Sequence, residues 1–101
     1  MNNNAIYIKV DRRLAALLPR FLANCRRDVE RMRGAVQSGD LAVARSLGHK
    51  LMGAGGFFGF HEASSLGREI ERAARDGDTR AAASLIEQLD RYLAQVRPQF
   101  D

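Results

Sequence analysis

Three short interruptions constrain this chain more than anything else in it. Ser38-Gly39-Asp40 and Asp76-Gly77-Asp78 each offer a glycine suited to a left-handed position just past a helix, then an aspartate suited to cap the next one. Gly59-Phe60-His61 makes a third tight break. Between these breaks the apolar residues recur at helical spacing. Leu14, Leu17, Leu18, Phe21, Leu22, Cys25, Val29, Met32 and Val36 form one long pattern. Asp11 is a good N-cap for it, and Pro19, tolerated in a first turn but not in an interior, divides it into a short helix over about 11–18 and a long one over about 19–37. Val43, Leu47, Leu51, Ala54 and Phe58 mark a helix over 41–58. Leu66, Ile70, Ala73 and Ala74 mark another over 62–75, and Ala82, Leu85, Ile86, Leu89, Leu93 and Val96 a last one over 79–96, ended by Pro98. Four long amphipathic helices on links of two or three residues predict an all-α fold, an antiparallel up-down four-helix bundle.

With 101 residues, 46% of them hydrophobic, the chain has material for one core, so a single domain over 1–101 is expected. Residues 1–4 are polar and expected to be disordered or loosely held. Residues 6–10 alternate apolar and polar with period two, which predicts an extended arm. No partner strand is evident, so the arm is expected to lie along the helices. The net charge of +4 is spread along the chain and interleaved with acids. Arg26, Arg27, Arg31 and Arg33 stand among Asp28 and Glu30 and read as a solvated face. That balance tolerates acidic partners without making the basic block expected of a nucleic-acid binder. No apolar run reaches bilayer length, and the start lacks a signal-peptide pattern, so no membrane partner is expected and the cytoplasm is the default compartment. The single Cys25 lies on an apolar stripe and reads as a small core residue.

The chemistry-bearing residues are few. His49 and His61 are twelve apart, with no second cysteine and no His-Glu-x-x-His pattern, so no metal set is indicated. There is no phosphate-binding glycine loop between a strand and a helix. His49 differs from the rest. It lies two residues from both Leu47 and Leu51, and at about 100° per residue it projects opposite their stripe. Arg45, Met52, Gly53 and Gly56 share its face. Each helical glycine costs roughly 1 kcal/mol relative to alanine, so a bare surface beside an outward imidazole suggests close approach by something else. A neutral imidazole can attack an electrophilic phosphorus, and phosphoryl transfer asks mainly for positioning and charge stabilisation. Arg45 and Lys50 are near enough in sequence to offset phosphate charge. On the residues alone, the reading that weighs more is a surface histidine without a role, beside glycines that pack on a neighbouring helix. Phe57, Phe58 and Phe60 are expected to close one end of the bundle, with one of them at a docking rim. His61 is expected at a helix start, and Glu69 and Glu71 in solvent or in ion pairs.

The run His49-Lys50-Leu51-Met52-Gly53-Ala54-Gly55-Gly56-Phe57-Phe58-Gly59-Phe60 resembles the signature of histidine-containing phosphotransfer (HPt) domains, His-x-hydrophobic-Lys-Gly followed by small residues and an aromatic or glycine turn. The likeness extends over about 8–97, through residues 17–22, Gly39-Asp40, residues 66–71 and Gly77-Asp78. It implies a bacterial-type two-component phosphorelay. His49 would accept a phosphoryl group from the phosphoaspartate of a response-regulator receiver domain and pass it to another. Arg45, Lys50, Met52, Gly53 and Gly56 would form the phosphate and docking face. The receiver would bring Mg²⁺, and this chain would hold no cofactor. A hybrid sensor kinase would stand upstream. The chain would be a free-standing, monomeric phosphotransfer intermediate, without kinase activity of its own. One departure is plain: the family usually has Lys three residues after the His, and Met52 stands there. That leaves a rival, a helical adaptor that binds receivers or kinases without being phosphorylated. A small basic bundle binding nucleic acid is a third reading, with strongly salt-dependent binding as its mark.

Overall fold

A computed structural model describes residues 4–101. The expectation of a loose start therefore falls, for residues 1–3, outside the described residues. The described chain is mostly helical, with four long helices: α1 (Leu18–Gln37), α2 (Leu41–Phe58), α3 (His61–Arg75) and α4 (Thr79–Gln95). These bounds follow the sequence punctuation. Gly39, Gly59 and Gly77 have φ of 81°, 87° and 73°, the left-handed turn that glycine adopts without steric cost. Asp78 caps α4 by accepting from the Ala81 backbone N–H at 3.0 Å. Asp40 occupies the equivalent position before α2, but its side chain makes no capping hydrogen bond. Pro19 sits in the first turn of α1, where its missing N–H is not needed.

Two expectations are corrected. The short helix over 11–18 is only a 3-10 turn, Arg12–Leu14, with Asp11 accepting from the Arg13 backbone N–H at 2.9 Å. The extended arm is a strand, β1 (Ile6–Val10), and it has a partner. It pairs in parallel with β2 (Val96–Phe100), in the register Ile6↔Val96 through Val10↔Phe100. The fold is therefore helical with a small terminal sheet. Pro98 reads as a helix stop in sequence, and it does follow the end of α4. A two-stranded sheet leaves each strand an open edge, so a proline is tolerated within β2. Parallel pairing needs a long crossover, and here the whole set of helices supplies it.

Around the bundle, α1 packs on α2 and α4, and α3 packs on α2 and α4. Met32, Phe60, Ile70 and Leu89 are completely buried between them. Burial of each such side chain contributes roughly 1.5–3 kcal/mol. Cys25 is buried among them, as its stripe predicts, and burial pushes its thiol up to about 12. Arg33 fastens α1 to α4: it donates to Glu87 at 2.8 and 3.0 Å and to Asp90 at 3.1 Å, besides Glu30 on its own helix at 2.6 Å. The aromatic end is only partly closed. Phe60 is buried and Phe58 stacks on Phe21 at 4.5 Å, but Phe57 remains 65% exposed. Leu17, read as part of the apolar stripe, is also exposed, because the chain is still turning into α1 there.

The closest approach is between α2 and α3. A Cβ on Gly48 would stand 2.7 Å from the Gly67 carbonyl oxygen and 2.9 Å from the Glu71 backbone nitrogen. A Cβ on Gly67 would stand 2.7 Å from the Gly48 oxygen. Here the two backbones touch, and only glycine on both helices allows it. Further along, Gly55 meets the Ser64 backbone in the same way, and the Ser64 hydroxyl donates to the Met52 carbonyl at 2.6 Å. Ala44, Gly48, Leu51 and Gly55 are thus a second buried row of α2, beside the Val43–Leu47–Leu51 stripe. The close contact holds α2 at a fixed depth against α3, and the next residue after Gly48 is His49.

Candidate functional site

His49 projects from the outer face of α2, with its side chain 66% exposed. Its Nδ1 lies 3.2 and 3.3 Å from the two carboxylate oxygens of Glu71 on α3. Glu71 itself is only 21% exposed, so the carboxylate stands at the helix–helix seam and the imidazole leans over it. An ionised carboxylate only accepts, so Nδ1 carries the hydrogen that it donates to Glu71. In the neutral ring the free lone pair then belongs to Nε2. The arrangement fixes one tautomer and one ring orientation, and it leaves the distal nitrogen without a proton.

The backbone geometry explains why this pair forms. Glu71 is next to the Gly48–Gly67 contact: its backbone nitrogen is one of the atoms that a Cβ on Gly48 would strike. An alanine at either glycine would force the helices apart and lengthen the reach from Glu71 to His49. The residues identified from sequence as sharing the His49 face behave differently from one another. Gly53 and Gly56 are exposed; a Cβ on Gly53 would meet nothing within 4 Å, and one on Gly56 only the Ser64 hydroxyl at 3.7 Å. They leave a bare helical surface two turns long beyond the imidazole. The glycines that pack tightly on a neighbouring helix are Gly48 and Gly55, not the two on the His49 face. Met52 is half-buried and brings no charge. Lys50 turns toward α1 and donates to Asp28 at 3.1 Å. Its charge is engaged there.

On the other side of His49 an open groove of about 560 Å³ runs between α2 and α3. Arg45, Ser46 and His49 line it from α2, Glu71 and Arg75 from α3, over a floor of Leu41, Ala42 and Ala74. Glu71 and Arg75 were not singled out for this site by sequence. The signal was present: Gly67, Glu71 and Arg75 follow at steps of four on α3, one face of one helix. Among the described residues no three His, Cys, Asp or Glu side chains converge to hold a metal. No helix among them is long and apolar enough to cross a membrane.

Comparison with protein-family models matches the Hpt domain over residues 16–99, nearly the whole chain. Neither the curated proteins nor the solved structures contain a match.

Proposed function

The chain belongs to the Hpt domain family, whose members carry out histidine phosphotransfer in two-component signalling and interact with response-regulator receiver domains, and on that premise we propose that His49 is its phosphoacceptor. The observation that carries the reading is the His49–Glu71 pair: an exposed imidazole whose Nδ1 is held by a seam carboxylate at 3.2 Å. In the proposed step, Nε2 of His49 attacks the phosphorus of a receiver's phosphoaspartate. The Nε2–P bond forms, the acyl P–O bond breaks, and the aspartate leaves as a carboxylate. The ring keeps its Nδ1 hydrogen on Glu71, which offsets the positive charge that develops on the imidazole. The reverse sequence, with a second receiver's aspartate as nucleophile, discharges the group.

The bare surface at Gly53 and Gly56 is where the receiver's active-site rim would approach, with Phe57 at its far edge. Mg²⁺ belongs to the receiver in this reading. The upstream donor would be a receiver domain of a hybrid sensor kinase, the location the cytoplasm, and the chain a monomer. An antiparallel up-down course for the helices belongs to the same reading. It is supported by the α2–α3 contacts, which pair Gly55 with Ser64 and Gly48 with Gly67.

A second reading, an adaptor that binds receivers without being phosphorylated, is favoured by one observation: Met52 leaves the position one turn beyond His49 without charge. A pulse–chase separates the two. Label loaded onto the chain from one phosphorylated receiver should appear on a second receiver after unlabelled chase. Stable receiver binding with no label on this chain at any time would replace the relay by the adaptor.

A further inference from the structure

We infer that Arg45 and Arg75 form a phosphoryl-binding cradle beside His49, and that they supply the positive charge the transferred group needs. The inference rests on the reading of His49 as the phosphoacceptor and adds to it the residues that hold the phosphoryl oxygens. Of the cationic side chains described above, two are engaged elsewhere. Lys50 is committed to Asp28. Arg33 is committed to three carboxylates between α1 and α4. Arg45 makes no ion pair among the described residues, and Arg75 has only a long 3.6 Å contact to its exposed neighbour Asp76. Those two uncommitted guanidiniums line one groove with His49.

Their placement follows from helical spacing. Arg45 is one turn before His49 on α2, and Arg75 is one turn after Glu71 on α3. The two helices therefore bring one arginine each to the same side of the His49–Glu71 pair. Glu71 is the groove's one acidic lining residue, and its carboxylate is engaged by Nδ1. Ser46 adds a hydroxyl on the same wall. A phosphoryl group presents three acceptor oxygens and close to two negative charges. Planar guanidinium forks match those oxygens better than a point charge does. With the phosphoryl group on Nε2, the guanidiniums neutralise it from the groove side and leave the Gly53–Gly56 side free for the partner.

The test uses the full chain and phosphoramidate, a small phosphoryl donor that removes any contribution from receiver docking. The Nε2–P bond forms, the P–N bond of the donor breaks, and its nitrogen leaves as ammonia. Wild type, His49→Gln, Arg45→Ala, Arg75→Ala, the double alanine variant and the two Arg→Lys variants are compared for the rate of phosphohistidine formation. Each alanine should slow formation about fivefold and the pair about twentyfold, with lysine keeping most of the rate. Raising salt should slow the wild type toward the double variant and leave the double variant unmoved. A double variant labelled at the wild-type rate overturns the cradle while leaving the relay intact. A wild type that takes no label at His49 overturns the relay reading and the cradle with it. Unchanged far-UV circular dichroism in the alanine variants excludes misfolding as the cause of a slower rate.

Discussion

Two glycines five residues apart on α2 should respond to the same methyl group with opposite signs. At Gly53 an added Cβ meets nothing within 4 Å. Gly53→Ala therefore keeps only the gain in helix propensity, about 0.5–1 kcal/mol. Gly48→Ala has the same gain, but its Cβ stands 2.7 Å from the Gly67 oxygen and 2.9 Å from the Glu71 nitrogen. Both are backbone atoms and have no rotamer to change. The helices must part by about 0.7 Å to reach the 3.4 Å of ordinary contact. That separation loosens packing around Leu51 and Ile70, and overpacking of this kind costs about 1–3 kcal/mol. The net expectation is a loss of about 1–2 kcal/mol for Gly48→Ala. In a domain of this size the two variants should melt roughly 10–20 °C apart. Urea denaturation followed by circular dichroism measures both, provided m is unchanged. A Gly48→Ala protein as stable as wild type would refute the claim that backbone contact sets the α2–α3 distance. The same variant should transfer phosphate more slowly, because parting the helices draws Glu71 away from His49.

Further expectations follow from the site and its frame. Glu71→Ala frees the imidazole and should slow phosphorylation about tenfold, while Glu71→Gln, which still accepts from Nδ1, should fall between the two; stability should change by less than about 0.5 kcal/mol for either, measured by the same urea series. Met52→Lys places an ammonium one turn beyond His49 and should speed transfer by about two- to fivefold; an unchanged rate in the receiver assay would show that charge at this position is not limiting. Hydrogen bonding to Arg33 holds the Glu87 carboxyl below its ordinary range, and hydrogen bonding to Arg13 holds exposed Asp11 at about 2. Both folded-state values lie below the unfolded ones, so their stabilisation is present above the ordinary carboxylate range and is lost as pH falls through the folded values. Acid denaturation of Glu87→Gln should accordingly show a weaker loss of stability below about pH 4.5 than wild type shows.

The helices were legible because their signals are local. Gly39, Gly59 and Gly77 needed only their own backbone conformation to mark the breaks, and the apolar positions of α3 and α4 fall inward almost residue for residue. The terminal sheet was not legible because its pairing is non-local. Ile8 and Pro98 share a register across the whole bundle, and Pro98 taken alone argues for a stop, not a strand. At the candidate site, the exposure of His49, Gly53 and Gly56 came from helical phase within one stretch. Glu71 and Arg75 lie on another helix, and their alignment with His49 depends on the Gly48–Gly67 contact. That contact was hidden because glycine carries no hydropathy signal to mark it as buried. Lys50 misled for a related reason: nearness in sequence could not tell that Asp28, on α1, engages it.

The central claim is that His49 carries a phosphoryl group, and direct labelling tests it. The full chain is incubated with Mg²⁺ and a panel of radiolabelled, phosphorylated receiver domains from the same genome, beside His49→Gln. The account predicts label on the wild type alone, stable in base and labile in acid, as a phosphohistidine must be. Label retained by His49→Gln, or a folded wild type that binds a receiver and never takes label, would contradict it.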